Sequence, residues 1–147
     1  MENDIKIKFL EKSIDINHAL RNSLDYKANF LLAISGIMFT LAISAKIDAL
    51  IVLSGMAAIL CILSISLPFR KINKKNSLLC WWGISNKTFD EYDEAVEEIK
   101  SEDDLILEYK KEIYFLYFQS IKFKNKLLKF SSLILLSTFV LYILNIL

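Results

Sequence analysis

The sequence predicts an all-α membrane protein. It has three transmembrane helices and a cytosolic helical bundle, formed by extensions of helices 1 and 3 plus a short intervening helix. Three observations carry this expectation. Of 147 residues, 54% are hydrophobic, above the usual range for a soluble globular chain, yet 24% are charged. The charges are segregated, leaving three runs without a single one: 28–45, 49–69 and 130–147. Only 3 glycines and 1 proline occur, too few for the turns of a β fold.

Each uncharged run approaches the ~18 to 20 apolar residues that cross ~30 Å of hydrocarbon. The third is extended by Leu127 and Leu128, with Lys129 able to snorkel. The expected segments are a cytosolic N-terminal helix at 1–27, membrane helices at 28–45 and 49–69, a cytosolic helical region at 70–126, and a last membrane helix at 127–147. The first run is not expected to be a cleaved signal, because a long mixed-charge region precedes it. Lysine and arginine set the orientation. Lys6, Lys8, Lys12, Arg21 and Lys27 precede the first run, and only Lys46 lies between the first two. Arg70, Lys71, Lys74 and Lys75 follow the second, while Lys122, Lys124, Lys126 and Lys129 precede the third. This places the N-terminus and the central region in the cytoplasm and the C-terminus outside, in the inner (plasma) membrane.

No glycine or proline separates Asp4 from Ala45, so one continuous helix of about 60 Å is expected there. Pro68 should end or kink the second helix, and "RKINKK" then meets the headgroups. Thr88 with Glu91 forms a capping-box pattern for a short helix over 88–100, whose acids Asp90, Glu91, Asp93 and Glu94 suit its dipole. A further helix is expected over 102–126, running straight into the third span. Its apolar face carries Leu105, Tyr109, Ile113, Leu116, Ser120, Phe123 and Leu127, widened by Ile106, Tyr114, Tyr117 and Ile121. Its polar side carries Glu108, Lys111, Glu112, Gln119, Lys122 and Lys126. So wide an aromatic surface favours a homo-oligomer. In "NSLLCWWGISNKTFDEY", Trp81 and Trp82 suit either the membrane interface or burial against the soluble helices. The second reading is preferred, with Gly83 permitting a turn.

Several function classes are excluded. A net charge of +1 gives no field for a nucleic acid polymer. Cys61 and Cys80 have no metal spacing and the acids no EF-hand spacing, so no metal site is expected. His18 is the one histidine, and no phosphate loop or nucleophile elbow accompanies it, so catalytic residues are none and the chain is not expected to be an enzyme. Gly36 and Gly55, with the serines of the first two spans, suit close helix packing.

Three stretches carry a family resemblance: "LDYKANFLLAISG" from Leu24, "NSLLCWWGISNKTFDEY" from Asn76, and "DLILEYKKEIYFLYFQSIKFKNKLLKFSSLILL" from Asp104. Together they resemble the small transmembrane effectors of Pycsar, the bacterial antiphage system that signals through cyclic pyrimidine nucleotides. The resemblance implies a membrane effector that senses, through its cytosolic helices, a cyclic nucleotide made by a partner cyclase. It then impairs inner-membrane integrity and causes growth arrest or cell death. Its partners would be the lipid bilayer, further copies of itself and the nucleotide. No cofactor is expected, a cyclic pyrimidine mononucleotide being the ligand. Arg21 and Lys27 are the expected charge partners of its phosphate, and Trp82 or Tyr92 its stacking surface. Asp25 is grouped with them, its other readings being a helix-surface ion pair or a cap. The alternative function is a non-catalytic membrane anchor or scaffold recruiting a cytosolic partner through the aromatic helix. A phage-type holin is a third, disfavoured by the large inner part.

Overall fold

The computed structural model describes residues 2–66, 78 and 87–146. These are helical, with no strand among them: α1 (Glu2–Ala45), α2 (Asp48–Ser66), α3 (Phe89–Glu97), α4 (Glu102–Tyr114), a π-helical segment (Phe115–Ile121) and α5 (Lys122–Ile146). Three helical stretches are long and apolar enough to cross a membrane, within α1, within α2, and within the stretch that ends in α5. The expected all-α class and its three spanning helices are therefore present. The chain divides into two compact units, Met1–Leu20 with Phe69–Ile121, and Arg21–Pro68 with Lys122–Leu147. Helix α1 passes unbroken from one into the other, as its lack of glycine and proline before Gly36 predicts.

The second unit holds the three apolar runs, and its core is a seam of small residues. Along α2 the buried positions are Leu50, Ser54, Ala57, Cys61 and Ser64, and along α5 they are Lys124, Leu128, Ser131, Leu135 and Thr138. Both series alternate steps of four and three. That is the 3.5-residue repeat of helices that wrap around one another with a left-handed twist. Ala28, Ser35 and Ala42 continue the pattern on α1 at intervals of seven. The small side chains let backbones approach, which in lipid replaces hydrophobic burial as the source of helix association. Their hydroxyls are satisfied locally. Ser35 donates to the Leu32 carbonyl at 2.7 Å, Ser54 to Leu50 at 2.7 Å and Thr138 to Ile134 at 2.8 Å. Ser131 instead reaches across to the Ala57 carbonyl at 3.1 Å and lies 3.1 Å from the Cys61 sulfur.

The glycines do not serve this packing as the sequence suggested. A Cβ on Gly36 would meet nothing within 4 Å, and one on Gly55 would make an ordinary contact at 3.8 Å to Phe39. Serine and alanine already provide the closeness, so the glycines fall outside the tight seam.

The α1–α2 hairpin closes on a Schellman turn. The Lys46 N–H donates to the Ile43 carbonyl at 3.0 Å and the Ile47 N–H to Ala42 at 3.1 Å. Lys46 sits at φ 55°, a left-handed conformation that costs a side-chain-bearing residue about 1 kcal/mol or more. Replacing Lys46 with glycine is expected to stabilise the solubilised protein by about 1 kcal/mol, read as a raised thermal midpoint. A lowered midpoint would show that the lysine side chain, not the turn, governs this position.

In the first unit, α3 begins with the expected capping box. The Glu91 N–H donates to the Thr88 hydroxyl at 3.3 Å, and the Thr88 N–H donates back to Glu91 at 3.0 Å. A second box starts α4, with Ser101 and Asp104 exchanging bonds of 3.2 and 3.0 Å. Bonds from the Ser101 hydroxyl and from the Lys100 and Ser101 N–H groups hold the Asp104 carboxyl below its ordinary pKa.

Two expectations for the last helical stretch need correction. It is not one straight α-helix from 102 into the third span, because a π-helical segment occupies Phe115–Ile121. A π turn takes up extra chain and re-phases the residues that follow it. This lets Leu116, Ser120 and Ile121 be buried together. Glu108 and Glu112, assigned to the polar side, are also buried, at 7% and 4% exposure. The Glu108 carboxylate is compensated by the Leu78 N–H at 2.8 Å and by Lys111 at 2.5 Å. Tyr114 and Tyr117, expected to widen the buried face, are exposed instead.

Candidate functional site

The expected site residues lie in different places. Arg21, Asp25 and Lys27 stand on α1 within the second unit, and Tyr92 stands on α3 within the first. Trp82, Trp81 and Gly83 lie outside the described residues. Arg21 and Asp25 are one helical turn apart and therefore share a face, while Lys27 is turned away from them and exposed. Tyr92 is half-buried.

Asp25 is engaged by a residue that the sequence reading took for an orientation signal. Its carboxylate accepts a short hydrogen bond from Lys124 on α5, 99 positions later. The Lys124 residue is only 4% exposed, so this ammonium is removed from water and its charge is balanced by Asp25, whose side chain is 34% exposed. Leu24, Ala28 and Leu128 are buried around the same level. The arrangement clamps α1 to α5 at the start of their apolar runs. No spacing rule reveals such a pair.

The first unit contains a groove of about 370 Å³ that the sequence reading also missed. Phe9, Leu10, Ser13 and Asn17 of α1 form one wall, and Lys110, Ile113, Tyr114, Tyr117 and Phe118 the other. Tyr114 and Phe118 stack with ring centroids 4.7 Å apart, and Tyr117 meets Phe118 edge to face at 5.1 Å. On the polar side, the Asn17 amide nitrogen donates to the Ser13 carbonyl at 2.9 Å, leaving its oxygen as an acceptor in the groove. The two walls are tied by Tyr109, whose hydroxyl donates to Glu11 at 2.9 Å. Partial burial and the neighbouring Glu11 carboxylate push the Tyr109 pKa up, which keeps the phenol a donor. Chemically the groove offers aromatic faces, one ammonium and an amide edge. A volume near the lower end of small-molecule sites suits a ligand of mononucleotide size.

The fold defines a multi-pass membrane protein with a helical unit outside its three apolar runs. The Pycsar effector protein domain matches residues 9–147, nearly the whole chain, and the chain belongs to that family. It is thus a membrane effector of antiphage defence. No curated protein and no solved structure matches it.

Proposed function

We propose that the first unit binds a cyclic pyrimidine mononucleotide made by a partner cyclase. The spanning helices then rearrange and breach the inner membrane, so that the host stops growing or dies. The observation that carries this reading is the aromatic groove with Lys110 at its edge. A pyrimidine stacked on Tyr114 or Phe118 gains about 1–3 kcal/mol. The Lys110 ammonium meets the cyclic phosphate, and the Asn17 oxygen accepts from a base or ribose donor. Arg21, Trp82 and Tyr92 are proposed as further contacts, for charge and stacking respectively. Asp25 serves the clamp to Lys124.

The proposed topology keeps the first unit and both ends of the α1–α4 region in the cytoplasm, with the C-terminus outside. The functional assembly is proposed to be a homo-oligomer. Exposed Ile5, Phe9, Ile16, Phe89, Leu107 and Tyr114 give the first unit an apolar surface of the kind that copies cover. The same exposed surface also suits the scaffold reading, in which it recruits a different cytosolic protein and permeability never changes.

Titrating the purified full chain with cyclic cytidine, uridine, adenosine and guanosine monophosphates tests the groove. Pyrimidine nucleotides are expected to bind, and Tyr114→Ala or Lys110→Glu to weaken them by about tenfold or more. Unchanged affinity in both variants, with loss in Arg21→Gln or Tyr92→Ala, would move the site to the residues read from the sequence.

A further inference from the structure

The second unit contains a larger groove, of about 580 Å³, that nucleotide sensing does not use. It runs between α1 and α5, and its lining changes character along its length. At one end lie Lys27, Asn125 and Lys129. Lys27 and Lys129 are the last charged residues before the two uncharged runs, so both stand where hydrocarbon gives way to headgroups. The rest of the groove, within those runs, is walled by Phe30, Leu31, Leu133 and Leu136.

Charge decides what fits. Lys124 is neutralised by Asp25, whereas Lys27 and Lys129 have no carboxylate partner among the described residues. A second copy of the same unit cannot supply one. The segments 21–68 and 122–147 contain two acids, Asp25 and Asp48, and Asp25 is already engaged. Asp48 begins α2 at the far ends of the apolar runs, beyond reach of these lysines. The same segments carry Arg21, Lys27, Lys46, Lys122, Lys124, Lys126 and Lys129. What remains at that depth is the lipid itself. An occupant must bring an anion to the two ammonium groups and an apolar chain to the walls behind them.

We propose that this groove is a binding site for one anionic glycerophospholipid. Its phosphodiester lies against Lys27 and Lys129, with the Asn125 amide donating a hydrogen bond. An acyl chain runs along Phe30, Leu31, Leu133 and Leu136. The bound lipid bridges α1 and α5 just beyond the Asp25–Lys124 clamp. The proposal is independent of nucleotide recognition, and Lys27 serves the lipid.

Native mass spectrometry of the detergent-solubilised chain with phosphatidylglycerol or phosphatidylcholine is the test. A single tightly held phosphatidylglycerol is expected, with phosphatidylcholine at least about tenfold weaker, since a zwitterionic headgroup offers no net charge. Lys27→Gln with Lys129→Gln should abolish that preference. Leu133→Trp, which fills the groove and leaves both lysines, should lose the lipid altogether. Lys122→Gln with Lys126→Gln removes as much charge outside the groove and should retain it. Equal binding of the two lipids would overturn the site. So would equal losses in the two lysine pairs, or undiminished binding in Leu133→Trp.

Discussion

Replacing Asp25 with alanine is expected to destabilise the solubilised protein by about 3 kcal/mol. The cause is Lys124, which is left buried with its charge uncompensated. Breaking a buried pair costs about 3–5 kcal/mol, and the partial exposure of Asp25 puts this one at the low end. Thermal unfolding followed by circular dichroism reads the effect. Lys124→Met should cost much less, because it removes the charge together with the need to balance it. The exchange Asp25→Lys with Lys124→Asp should recover part of the loss. A single Asp25→Ala substitution as stable as the parent would mean that Lys124 reaches water or another carboxylate, and the clamp between α1 and α5 would be discarded.

The second large effect concerns the π-helical segment. Deleting Gln119 should let Phe115–Ile121 revert to α geometry and turn the phase of everything after it by about 100°. The residues of the nucleotide groove precede the deletion, so nucleotide affinity should persist. Triggered membrane damage should vanish, because the buried series Leu128, Ser131, Leu135 and Thr138 would no longer be in phase with the side chains before it. Inserting an alanine between Ile121 and Lys122 should restore the response. The first unit ends at Ile121, so one link between the units is this irregular segment and another is the unbroken α1. Packed helices move in discrete steps of an ångström or two, and a segment with two hydrogen-bonding registers supplies such a step. A deletion variant that still permeabilises membranes on nucleotide addition would remove the segment from the signalling route.

What the sequence disclosed follows from which rules are local. Uncharged runs locate the spans because the bilayer imposes a length. The unbroken α1 is legible from the absence of proline and glycine before Gly36, and the start of α3 from Thr88 and Glu91. The missed features depend on distant partners. Lys124 reads as one more orienting charge until α5 is placed beside Asp25. Glu108 reads as solvated until the Leu78 backbone, 30 positions earlier, donates to it. The π segment is a compromise between burying Leu116 with Ser120 and Ile121 and continuing into α5, and no single residue announces it. The groove of the first unit needs Phe9 and Asn17 brought against Tyr114 and Phe118, a pairing that helical periodicity alone does not specify.

The most direct measurement is dye release from liposomes that contain phosphatidylglycerol and the purified chain. Adding cyclic cytidine or uridine monophosphate should release the dye, purine cyclic nucleotides should not, and Tyr114→Ala should abolish the response. Liposomes that stay sealed while the nucleotide is demonstrably bound, or that leak equally without it, would contradict a nucleotide-gated effector.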